Sequence, residues 1–111
     1  MNSVSETSVL SRRADALLTR DERIEVIGIL ASRPEAGDII QGTGGVRKLR
    51  FGAGGRGKRG AFRVVYYVSN ANLPVVAITL YGKNEKADLT PSEKLGAKAI
   101  VAWMKKVLAR K

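Results

Sequence analysis

A change of hydrophobic period between two helix-start signals limits this chain to a mixed architecture of helices and sheet. Thr19-Arg20-Asp21-Glu22 is a capping box, with Thr19 as N-cap and Glu22 three residues on. Leu89-Thr90-Pro91-Ser92-Glu93 repeats the device and adds Pro91 at the first helical position, where its fixed φ suits a helix. Between the two boxes, Val46–Phe51 and Ala61–Ser69 alternate with a period of two, the signature of strands.

The remaining elements follow from spacing. Leu10, Ala14, Leu17 and Leu18 predict a short helix from about Ser8 to Leu18. The helix opened at Thr19 should carry Ile24, Ile27 and Leu30 inward and stop by Arg33, before Pro34. Residues 36–45 read as a loop, Gly52–Gly60 as a glycine-rich hairpin loop, Asn70–Asn72 as a turn, and Leu73–Tyr81 as a third, more apolar strand. The closing helix should run to about Leu108, with Leu95, Ala99, Trp103 and Val107 on its core face. The order α-α-β-β-β-α predicts an α+β fold, helices packed on a small antiparallel sheet, in one domain of 111 residues.

Charge is distributed unevenly over this frame. Residues 1–38 carry five Lys/Arg and seven Asp/Glu, whereas residues 39–84 carry eight Lys/Arg and no acid. A run of cations without acids to neutralise them suits a polyphosphate partner. The chain has no cysteine and no histidine, which removes disulfides, thiolate metal sites and the usual neutral-pH proton shuttle. Acidic pairs for a two-metal nuclease are missing from the cationic stretch, and Glu85 and Asp88, beside Lys83 and Lys86, read as salt-bridged surface residues. No metal and no cofactor is expected. Nothing approaches the about 18 apolar residues of a membrane span, and Met1–Val9 lacks the pattern of a signal peptide. A soluble, cytoplasmic protein with no membrane partner is expected.

Gly52–Gly57 matches a dinucleotide fingerprint, and Gly52–Lys58 nearly matches a phosphate-binding P-loop. Both motifs need a following helix, whose N-terminus holds the phosphate. Phe62–Val68 instead has strand character, and Arg59 stands where a P-loop needs Ser or Thr. The loop is better read as a cationic hairpin whose glycines admit a nucleic-acid backbone, with Arg56, Lys58 and Arg59 as phosphate contacts.

Three strand elements bring further cations together. Lys48 and Arg50 alternate on one face of the first strand, Arg63 opens the second, and Tyr81 and Lys83 end the third. Such a cluster suits metal-free RNA cleavage, in which a 2′-hydroxyl attacks its own 3′-phosphate through a dianionic phosphorane and leaves a 2′,3′-cyclic end. Arginine offers a fork to phosphate oxygens, and a lysine among other cations can move a proton. Tyr81 or Phe62 is placed to stack a base.

The motifs Gly37-Asp38-Ile39-Ile40, Gly42-Thr43-Gly44-Gly45-Val46-Arg47-Lys48-Leu49-Arg50, Gly57-Lys58-Arg59-Gly60, Arg63-Val64-Val65-Tyr66-Tyr67 and Tyr81-Gly82-Lys83-Asn84-Glu85 closely resemble the HigB branch of the RelE/ParE toxin superfamily. The likeness extends from about Leu17 onward. It implies a RelE-like fold and a toxin of a type II toxin–antitoxin pair that cleaves mRNA in the ribosomal A site. The implied partners are mRNA, the ribosome and a small antitoxin, usually of helix-turn-helix type. The resemblance places Lys48, Arg50 and Arg63 at catalytic positions, with Lys83 having to stand in for the family's later arginine. Arg47, Arg56, Lys58, Arg59, Tyr81, Asn84 and Lys86 are expected to contact RNA. The catalytic tyrosine of RelE falls near Thr90, which leaves Tyr81 as a candidate substitute. Two alternatives stay open: a ParE-like inhibitor of DNA gyrase without nuclease activity, and an RNA-binding protein without catalysis.

Overall fold

The structure, a computed structural model, describes residues 3–52, 62–69, 73–82, 85 and 88–108. The expectations placed on Arg56, Lys58, Arg59, Lys83, Asn84 and Lys86 lie outside the described residues. Helix α1 (Ser8–Leu17) starts at Thr7, whose hydroxyl accepts the Leu10 N–H at 3.0 Å. Helix α2 (Arg20–Ser32) opens on the expected capping box: the Glu22 N–H donates to Thr19 Oγ1 at 3.2 Å, and the Thr19 N–H donates to Glu22 Oε1 at 2.7 Å. Helix α3 (Pro91–Leu108) opens on the second box, Thr90 with Glu93, through bonds of 2.9 and 3.1 Å. Each box satisfies donors that a helix start otherwise leaves bare.

The strands are β1 (Val4–Glu6), β2 (Asp38–Ile39), β3 (Arg47–Phe51), β4 (Phe62–Tyr67) and β5 (Val75–Gly82), joined in the order β1-β5-β4-β3-β2. The fold is α+β, as expected, but the sheet is mixed rather than antiparallel, because β1 lies parallel to β5. Val4-Ser5-Glu6 has no alternating apolar pattern to announce a strand. It pairs through its backbone, which occupies the otherwise open edge of β5. The run Phe62–Tyr67 is a strand, which disposes of the helix that a P-loop or dinucleotide motif requires.

Along that outer edge, Thr7 extends the pairing with its N–H on the Ala77 carbonyl at 3.0 Å and its hydroxyl on the Ile78 carbonyl. Farther on, Arg13 Nε donates to the Leu80 carbonyl, and the Gly82 N–H donates to Glu85 Oε1 at 3.1 Å. The Arg13 guanidinium also pairs with the Glu85 carboxylate, tying α1 to the end of β5.

Strand alternation gives the sheet two cores. Leu49, Phe51, Phe62, Val64, Tyr66, Val75, Ala77 and Leu80 face α1 and α2, which contribute Leu10, Ala14, Val26 and Leu30. Val65, Tyr67, Ile78 and Tyr81 face α3, which contributes Ala97 and Val101. Tyr66 and Tyr67 thus point to opposite faces, and both are buried.

The expected inward faces of α2 and α3 are corrected at Ile24, Leu95, Ala99 and Trp103, all of which are exposed. Ile24 is 60% exposed, because the capping box turns Glu22 inward. The buried stripe of α2 is Glu22, Val26 and Leu30, and Ile24 lies about 200° around the helix from Val26. On α3 the inward face is Ala97, Ile100, Val101 and Met104; Leu95 and Trp103 are 68% and 65% exposed. Tyr67 and Tyr81 lie in the same cluster beneath this helix, where Ala97 and Val101 meet them and the indole stays outside. Trp103 lines a surface groove with Thr7, Val76, Ala99, Ile100 and Met104. Among the described residues no helix is long and apolar enough to cross a membrane.

Candidate functional site

Period-two alternation decides which side of β3 each residue shows. Leu49 and Phe51 enter the core beneath α1 and α2, so Lys48 and Arg50 point to the α3 side. The register then aligns them across the sheet. Arg50 stands opposite Arg63, which stands opposite Tyr81, while Lys48 stands opposite Val65 and then Thr79. Lys48, Arg50 and Arg63 therefore share one face of two neighbouring strands, as expected from the sequence.

Two arginines directly opposite one another in an antiparallel pair repel, with Cβ atoms about 5 Å apart. Arg50 is exposed and Arg63 half-buried. Nη1 of Arg63 is buried and has no hydrogen-bond partner among the described residues. A guanidinium has five N–H donors and no acceptor, so an inward donor left in this way is suited to an incoming anion. An arrangement that is self-repelling in the bare protein is relieved by a bound negative group.

Two acids border this face: Asp38 of β2 stands opposite Lys48 in register, and Asp88 reaches Lys48 from the approach to α3. The Asp88 carboxylate lies 3.5 Å from Lys48 Nζ and 3.6 Å from Lys94 Nζ, and its Oδ1 accepts the Leu89 N–H at 2.8 Å. Partial burial works to raise the Asp88 pKa, but the Leu89 amide together with Lys48 and Lys94 brings it below the ordinary carboxylate value. Asp88 and Glu85 are both ion-paired, as the sequence suggested: Asp88 with Lys94 nearby in the chain and with Lys48 on β3, and Glu85 with Arg13 on α1.

Tyr81 closes the row on β5 and is buried against Leu89, Ala97 and Val101. Burial pushes its phenol pKa up, Asp88 adds to the rise, Arg63 opposes it, and Glu93 raises it further. The phenol is therefore held protonated beside the cations. Phe62 is also buried, stacked on Phe51 with ring centroids 5.8 Å apart. Neither ring is exposed to stack a base, contrary to expectation.

Arg47 stands apart from the row. Its register partner is Tyr66, on the opposite face, and its Nη1 donates to the carbonyls of Glu35 at 3.2 Å and Gly37 at 2.8 Å. Tyr66 grips the same glycine from the other side, accepting the Gly37 N–H at 2.8 Å. A Cβ on Gly37 would lie 2.7 Å from both the Lys48 carbonyl oxygen and the Tyr66 hydroxyl, so only glycine lets the segment approach β3 this closely. Arg47 and Gly37 thus hold the strand that presents Lys48 and Arg50. Neither this clamp nor the bridge from Asp88 to Lys48 has a local spacing signal in the sequence. No protein-family model matches the chain.

Proposed function

We propose that this chain is a RelE-like toxin of the HigB branch, a metal-independent endoribonuclease that cleaves mRNA in the ribosomal A site. The observation that carries the reading is the cross-strand pairing of Arg50 with Arg63 beside Lys48, a concentration of positive charge that gains from a phosphate. In this reading the two guanidinium groups bracket the scissile phosphate and stabilise the charge that grows as the 2′-hydroxyl attacks. Lys48 adds a third positive charge beside the phosphate. The 2′-oxygen bonds to phosphorus as the bond to the 5′-oxygen breaks, the 2′-hydroxyl proton passes in net terms to that departing oxygen, and the strand is left with a 2′,3′-cyclic phosphate. The protonated Tyr81 phenol supports Arg63 from the end of the row. Partners in this reading are mRNA, the ribosome and an antitoxin that neutralises the toxin in the cytoplasm.

A second reading, RNA binding without cleavage, draws on the burial of Tyr81 and on Thr90 occupying the place of the RelE tyrosine. A ParE-like gyrase inhibitor has no need of the arginine pair. One experiment separates the three: translating ribosomes and mRNA are incubated with wild-type protein and with the Lys48→Ala/Arg50→Ala variant, alongside a gyrase supercoiling assay. Cleavage by wild type that falls by at least about 100-fold in the folded double variant supports the nuclease. Undiminished cleavage by the variant removes these residues from the mechanism, and inhibited supercoiling without cleavage replaces the reading.

A further inference from the structure

Phosphate does not meet Lys48 unopposed, because the Asp88 carboxylate already bridges it to Lys94. We infer that Asp88 is a built-in competing anion, which RNA phosphate must displace from Lys48 and which returns as RNA leaves. This inference rests on the phosphate-binding reading of the Lys48–Arg50–Arg63 face and adds a control on its affinity.

The geometry gives the carboxylate both a reason to hold and a way to let go. Its Oδ1 faces Lys48 and the Leu89 amide, while Oδ2 faces Lys94. The two ion pairs span 3.5 and 3.6 Å, and their side chains are 32–44% exposed, so each contact is weak and readily exchanged. When a phosphate takes Lys48, Lys94 and the Leu89 amide remain to hold the displaced carboxylate, so no charge is stranded. The competing carboxylate is covalently tethered, so it re-forms the Lys48 contact at a high effective concentration and speeds release of the strand.

The test measures binding of a single-stranded RNA with 2′-O-methyl riboses, which cannot be cleaved, by fluorescence anisotropy at fixed salt. Wild type is compared with Asp88→Asn, Lys48→Ala, the double variant, and Glu25→Gln, which removes one exposed negative charge from α2 on the other side of the sheet. Thermal melting shows that each is folded. Asp88→Asn should bind about two- to fivefold tighter, the range of an exposed ion pair. It should also release RNA more slowly, and both gains should vanish when Lys48 is already alanine. Weaker binding by Lys48→Ala combined with no gain in Asp88→Asn overturns the inference and leaves the phosphate site standing. An equal gain in Glu25→Gln, or a gain that survives in the double variant, overturns it as a bulk-charge effect. Unchanged binding by Lys48→Ala instead overturns the phosphate-site reading on which the inference rests.

Discussion

The same strands build two unlike faces, one sealed and one left charged. Toward α1 and α2, the sheet presents apolar residues of β3, β4 and β5 from Phe51 and Phe62 to Val75, with Arg47 as the one charge at the β2 end of this face of β3. Toward α3, the cover reaches Tyr67, Val65 and Tyr81 but leaves Arg50 exposed and Arg63 and Lys48 partly so. A period of two separates the groups that hold the fold from the groups that repel one another, although each residue of one kind is bonded to residues of the other. Stability and charge can therefore be altered independently.

The largest separation should come from Leu80→Ala, on the sealed face. Leu80 is 1% exposed, and its truncation should cost about 2–5 kcal/mol in urea unfolding. RNA cleavage by the fraction that remains folded should be unchanged. Arg63→Ala should do the reverse. Its turnover of mRNA should fall about 100-fold, with a smaller loss in ribosome binding. Its melting temperature should hold or rise, because the repulsion with Arg50 is gone. A parallel loss of stability would show that Arg63 belongs to the core and that the two faces are not separable.

A smaller effect is expected where the sealed face is fastened at its margin. Glu6 accepts from Arg23 Nη2 at 2.7 Å and from Ser11 at 2.9 Å, joining β1 to α2 and α1. The hydrogen bond from Arg23 lowers the Glu6 pKa, burial opposes it, and Ser11 and the Arg23 charge add to the lowering. A carboxyl whose folded pKa is depressed contributes its stability above the unfolded value, about 4.3, and loses it as pH falls through the folded one. Glu6→Gln should thus cost about 1–2 kcal/mol at neutral pH. The difference from wild type should close in acid, as urea titrations at both pH values will show. The smallest effect belongs to Trp103→Ser, which should shift stability by less than about 0.5 kcal/mol because the indole stands outside both cores.

The parts legible in the sequence were those set by neighbours in the chain. Thr19 with Glu22 and Thr90 with Glu93 located two helix starts, and the alternation of Lys48, Leu49, Arg50 and Phe51 sorted the cations from the core. What was not legible depended on distant surfaces. Trp103 and Val101 lie on competing stripes of α3, and only the packing of the helix over Tyr67 and Tyr81 selects between them. Ile24 lost the inward position to Glu22, since the capping bond outranked hydrophobicity at that turn. β1 depends on the needs of β5, and the Asp88 bridge depends on a loop returning to β3; no local pattern records either.

The treatment of the outer edge of β5 limits how another chain can join this one. With β1 spent after three residues, Thr7, Arg13 and Glu85 take up successive main-chain groups by their side chains, so this flank offers an incoming peptide no open ladder to continue. The opposite flank ends in β2, only two residues long and bearing Asp38. Strand-by-strand growth is poorly templated along β5, whereas on the other flank β2 pairs only with Arg47 and Lys48, so an added strand would find main-chain groups of β3 from Leu49 to Phe51 without a strand beside them among the described residues.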